Sequence, residues 1–137
     1  MKQVDSKEAV ESFLLNVRKI LNSSSFNINK NFLFIRFRAS YSDNNLHTND
    51  STLIDLEYNT QDVVNEIKSL TTEHYKETFI DNQPGKINPF YCFIKTINNK
   101  QVYIKFKIKE KNNKQVLCVS FHFAEHDVSD NKLPYKK

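Results

Sequence analysis

Apolar and polar residues alternate most cleanly in the last third of the chain. From Gln101 to Lys109, Val102, Ile104, Phe106 and Ile108 fall on one side of an extended strand, and Tyr103, Lys105, Lys107 and Lys109 on the other. Lys114–Ala124 repeats the pattern, with Leu117, Val119, Phe121 and Phe123 on the apolar side and Val116, Cys118, Ser120 and His122 opposite. Tyr91–Ile97 is a third strand candidate. Asn98-Asn99 and Asn112-Asn113 separate the three, and asparagine tolerates the left-handed backbone of tight hairpins. The alternation predicts an antiparallel sheet with one face on a core and one partly wet.

Helical spacing dominates earlier. Asp5 with Glu8 reads as a capping box, and Val10, Phe13, Leu14, Val17, Ile20 and Leu21 follow as one apolar stripe until Asn22. Thr60 caps a second helix carrying Val63, Val64, Ile67 and Leu70, and Thr71 or Thr72 a short helical turn through Lys76. Phe32–Arg38 is a short strand, residues 40–52 a polar loop, and Asp81–Pro89 irregular. The expected fold class is α+β. A three- to four-stranded antiparallel sheet carries the helices at 5–22 and 60–70 on its apolar face, burying Val102, Ile104, Phe106, Leu117, Val119 and Phe121.

Composition narrows this to a single domain over residues 1–137. One glycine in 137 residues excludes glycine-rich nucleotide loops. Cys92 and Cys118 sit in apolar stretches and read as buried small hydrophobes, with no metal site and no cofactor implied. No apolar run approaches the roughly 20 residues of a membrane span, and the polar N-terminus argues against a signal peptide, so a cytoplasmic protein is expected. Charge is unevenly placed. Residues 42–83 carry nine acids against two lysines, whereas 95–114 carry seven lysines against Glu110 alone. The basic segment suggests a polyanion-binding face, or else lysines that only solvate a sheet.

Register turns the pattern into chemistry. A two-residue turn at Asn112-Asn113 pairs Lys111 with Lys114, which sets Tyr103 opposite His122 and Lys105 opposite Ser120. A tyrosine, a histidine and two lysines then share the wet face, with no strand carboxylate among them. A one-residue slip would move His122 into the core. Histidine suits general acid–base work because its ordinary pKa, about 6.5, lies near neutrality.

Gln101-Val102-Tyr103-Ile104-Lys105-Phe106, followed by Val119-Ser120-Phe121-His122, resembles the C-terminal signature of the MqsR family of type II toxins. Asp62–Ile67 leading to Leu70–Tyr75 resembles that family's helix and following turn, and Tyr91-Cys92-Phe93 with Lys95 its aromatic strand. The resemblance covers roughly residues 60–126; residues 1–59 match poorly and 127–137 read as a flexible tail. It implies a RelE-like fold and a metal-independent endoribonuclease that cuts single-stranded messenger RNA and is neutralised by a cognate antitoxin. The positions matching the family's active-site groups are Tyr103 and His122, with Lys105 beside them. The founding type carries lysine where His122 stands, and its helical-turn lysine falls at Glu77, one residue after Lys76. Lys107, Lys95, Lys76 and Arg36 are the expected RNA contacts. The competing expectations are a non-catalytic regulator of the same fold that binds RNA or protein, and an interaction protein whose basic face meets an acidic partner.

Overall fold

A computed structural model describes residues 1–37, 47–80, 88–109 and 114–137. The turn at Asn112-Asn113, residues 40–46 of the expected loop and most of Asp81–Pro89 lie outside them. Strands β1 (Lys2–Gln3), β2 (Phe32–Phe34), β3 (Tyr75–Phe79), β4 (Phe90–Ile97), β5 (Lys100–Lys109) and β6 (Gln115–Phe123) form one sheet in the order β1–β3–β4–β5–β6–β2. All neighbours are antiparallel except β2, which runs parallel to β6.

The fold is α+β, with a sheet larger than the three to four antiparallel strands expected. β3 escapes the alternation rule because a register shift at Lys76 lets Tyr75 and Thr78, three residues apart, both bury. Lys76 accordingly stands on a strand; the expected helical turn is a single 3-10 turn at Thr72–His74. β1, two residues long, is too short for a periodic signal, and β2 covers Phe32–Phe34 of the strand expected over Phe32–Arg38.

Helices α1 (Lys7–Leu21), α2 (Ile28–Asn31), α3 (Asn49–Leu56) and α4 (Thr60–Lys68) complete the fold. Ser6, rather than Asp5, caps α1 by accepting from the Ala9 amide, while Asp5 Oδ2 accepts from the Thr78 hydroxyl across the sheet. Asn59 and Asp62 form the capping box of α4, one residue before the expected Thr60. Val10, Leu14 and Val17 of α1 and Val63, Val64 and Ile67 of α4 join Val102, Ile104 and Phe106 of β5 in one core. Phe13 stacks on Tyr91 at 3.8 Å and tilts against Phe106 at 5.4 Å. Full burial of each such side chain contributes about 1.5–3 kcal/mol.

β6 departs from simple alternation. Its upper half pairs as expected, but a register shift leaves Val119 bulged, so that Phe106 faces Cys118 and Ile108 faces Val116. Val116 and Cys118 are therefore in the core, and Leu117 and Val119, expected there, are only half-buried. A bulge exchanges faces as a one-residue slip does. The expected pairing is off by one residue near the turn, and the bulge restores it before Ser120 and His122.

α3 replaces the loop expected over its first half and finishes the β6 edge beyond β2. Asn49, fully buried, donates to the Ile35 carbonyl (2.6 Å) and the Val119 carbonyl (3.0 Å) and accepts from the Phe121 amide (2.9 Å). Thr52 Oγ1 accepts from the Phe123 amide at 2.9 Å. The polar composition that reads as a loop is here a set of side-chain partners for a strand edge.

Residues 127–137, expected as a flexible tail, are fastened to the body. The Gln101 amide exchanges two hydrogen bonds with the Val128 backbone, at 2.8 and 2.7 Å. Leu133 is buried, and the Tyr135 hydroxyl donates to the Asp5 carbonyl while its ring stacks on Tyr75. No helix among the described residues is long and apolar enough to cross a membrane.

Candidate functional site

The sheet face turned away from α1 and α4 carries the candidate site. Tyr103 lies opposite His122 on β6, with ring centroids 5.4 Å apart, and opposite Ile94 on β4. The next row holds Ser120, Lys105, Cys92 and Glu77 across four strands. Beyond it, Lys107 is followed by Phe90 and Phe79. The backbone flanking His122 is braced, since Asn49 and Thr52 hold the Phe121 and Phe123 amides.

Each group in these rows has a definable capability. The Tyr103 hydroxyl donates to Cys92 Sγ at 3.1 Å. Burial first, then the neighbouring Cys92, pushes the Tyr103 pKa well above its ordinary value, so Tyr103 stays a proton donor at any physiological pH. Burial also raises the Cys92 thiol, the Tyr103 hydrogen bond offsetting part of this, which favours the protonated thiol over the thiolate. Lys105 Nζ stands 4.3 Å from the Phe79 ring centroid and 5.3 Å from that of Phe90, and Lys107 Nζ stands 4.8 Å from Phe90. Cations alternating with aromatic rings form the kind of surface on which single strands stack.

Glu77 corrects the expectation of a face without strand carboxylates. The bulge at Lys76 turns it toward Cys92 and Lys105, where it pairs with Lys76 at 3.0 Å and Lys2 at 3.4 Å. Lys76 thus reaches the face, with much of its charge answered by Glu77.

Two expected RNA contacts stand apart. Asn98 and Asn99 form a two-residue turn, both with positive φ (51° and 65°), so Ile97 pairs with Lys100 and Lys95 with Val102 on the core side. Lys95 Nζ donates there to Glu66 Oε1 (2.5 Å) and Ser69 Oγ (2.6 Å), a structural ion pair under α4. Arg36 Nε bonds Asp50 Oδ1 at 2.5 Å near the start of α3.

His47, just before α3, lies beside this face. Its Nδ1 is 3.2 Å from the Phe123 carbonyl oxygen, and it lines a pocket of about 540 Å³ with Thr96, Gln101, Ala124 and Asp127. Thr96 and Gln101 pair, and the Ala124 amide donates to the Gln101 carbonyl, so these three form the row next to Ile94, Tyr103 and His122. Rows two residues apart are separated by about 6.7 Å. No spacing signal links residue 47 to residue 122.

No protein-family model, curated protein or solved structure matches the chain.

Proposed function

We propose that this chain is an endoribonuclease of the toxin type that cuts single-stranded messenger RNA without a metal ion and is restrained by a protein antitoxin. The observation that carries the reading is the row of Tyr103 and His122, 5.4 Å ring to ring, continued on the same face by Lys105 and Lys107 over Phe79 and Phe90. The resemblance of these strands to the MqsR family supports the same reading.

Metal-free RNA cleavage requires a base for the ribose 2′-hydroxyl, an acid for the leaving 5′-oxygen and cations for the phosphorane. His122 supplies acid–base capacity. Lys105 and Lys107 supply charge where the transition state develops it. Tyr103 exchanges its weak sulfur acceptor for a phosphate oxygen, a stronger, charge-assisted partner. The products carry 2′,3′-cyclic phosphate and 5′-hydroxyl ends.

A second reading, a non-catalytic regulator that binds RNA or protein, draws support from Glu77. A carboxylate in the row of Lys105 repels phosphate unless Lys76 and Lys2 keep it neutralised. Induced expression separates the two. The ribonuclease reading expects arrested growth and new transcript ends with wild type, both lost in His122→Ala; arrest without new ends favours the regulator.

A further inference from the structure

The Phe123 carbonyl oxygen has two imidazoles on it: His122 Nδ1 at 3.0 Å and His47 Nδ1 at 3.2 Å. A carbonyl only accepts, and it offers two lone pairs. Each ring therefore holds its proton on Nδ1, and in the neutral form Nε2 is the accepting nitrogen. One backbone atom thus brings together two histidines 75 positions apart and sets both tautomers. Its strand is fixed in turn, since the Phe123 amide bonds Thr52 Oγ1.

We infer that His47 is the second acid–base group of the cleavage reaction, partner to His122; this rests on the ribonuclease reading above. The pocket of about 540 Å³ that His47 lines begins in the row beside Tyr103 and His122, and takes the nucleoside adjoining the scissile phosphate. Gln101, bonded twice to the Val128 backbone, fastens the segment that brings Asp127 to the same pocket. The volume lies within the usual range for small-ligand sites, about 300–1,000 Å³.

The step balances without a co-reactant. One Nε2 takes the 2′-hydroxyl proton as O2′ forms its bond to phosphorus. The bond from phosphorus to O5′ breaks, and the other histidine, entering as imidazolium, gives its proton to O5′. The pair leaves with its protonation exchanged, and water restores it. Among the described residues, the charged groups beside the two rings include Lys100 and Asp127 at the pocket and Lys105 on the adjoining row. Tyr103, beside His122, stays protonated.

The test uses purified full-length protein and two oligoribonucleotides. One is natural; the other carries sulfur in place of the bridging 5′-oxygen, a leaving group that needs no proton. His47→Ala and His122→Ala should each slow natural cleavage by about 10²–10⁴-fold, and the sulfur substrate should rescue one of them and not the other. The wild-type pH profile should be bell-shaped and lose one limb in His47→Ala. Asn in place of His47 keeps a polar side chain and serves as the folding control; it should be as slow as alanine. Wild type that cuts while His47→Ala matches its rate and profile overturns the inference and leaves the ribonuclease reading standing. So does rescue of both variants or of neither. Wild type that leaves both RNAs intact removes the ribonuclease reading, and the inference with it.

Discussion

Replacing Asn49 with leucine removes three hydrogen bonds in a fully buried position while nearly preserving side-chain volume. The Phe121 amide and the Ile35 and Val119 carbonyls lose their side-chain partner together. An orphaned buried group costs about 1–3 kcal/mol. The two carbonyls each keep a second lone pair and fall at the low end; the amide has no alternative and falls higher. Leucine's apolar packing returns part of the sum, leaving a net loss of about 3 kcal/mol, or roughly 10 °C in Tm for a chain of this size. Urea unfolding followed by circular dichroism measures the loss as a lowered midpoint at unchanged slope. Hydrogen exchange locates it, since Phe121 should lose amide protection ahead of Ile104 in the neighbouring strand. Because Phe121 adjoins His122, cleavage should fall further than the folded fraction does. A variant within 1 kcal/mol of wild type, with Phe121 still protected, would refute the claim that α3 braces the strand carrying the site.

Other predictions concern charge. Lys95→Met should destabilise the fold by about 2 kcal/mol, the worth of a charge-assisted hydrogen bond lost under α4, yet leave RNA affinity unchanged in a filter-binding titration. Lys107→Glu should weaken binding to all sequences alike and flatten the salt dependence by about 0.7 in log–log slope. His74 has its pKa lowered by burial, then by Lys95 and Lys136, and its Nδ1 accepts the Thr71 amide at 3.1 Å, which requires a neutral ring. The unfolded chain therefore binds the proton more readily, so stability is complete above pH 6.5 and falls as pH drops below it toward the folded-state value. Urea midpoints across pH should show this slope, and His74→Asn, which keeps an acceptor without titrating, should flatten it.

The sequence displays some of this and conceals the rest for physical reasons. β5 alternates because it is the central strand of its three, with fully buried core residues on one side and half-buried residues on the other, and the opposition of Tyr103 and His122 follows from its period. That pairing holds through two compensating offsets, one near the turn and one at the Val119 bulge, neither written in residue type. Bulges also explain β3 and Glu77: the shift at Lys76 breaks the period that would have marked the strand. Lys95 is decided by turn length alone, and the positive φ of both Asn98 and Asn99 fixes it at two residues. Asn49 and Thr52 read as loop formers because their burial depends on backbone partners far along the chain. His47 reaches the site through one such partner, the Phe123 carbonyl, and nothing local announces it.

The central claim is that the Tyr103–His122 face cuts RNA. Purified wild type incubated with a labelled single-stranded oligoribonucleotide in the presence of a chelator should yield discrete fragments ending in 2′,3′-cyclic phosphate. His122→Ala, folded by circular dichroism, should yield about 10²–10⁴-fold fewer per unit time. Intact RNA with wild type, or equal cutting by His122→Ala, would contradict it.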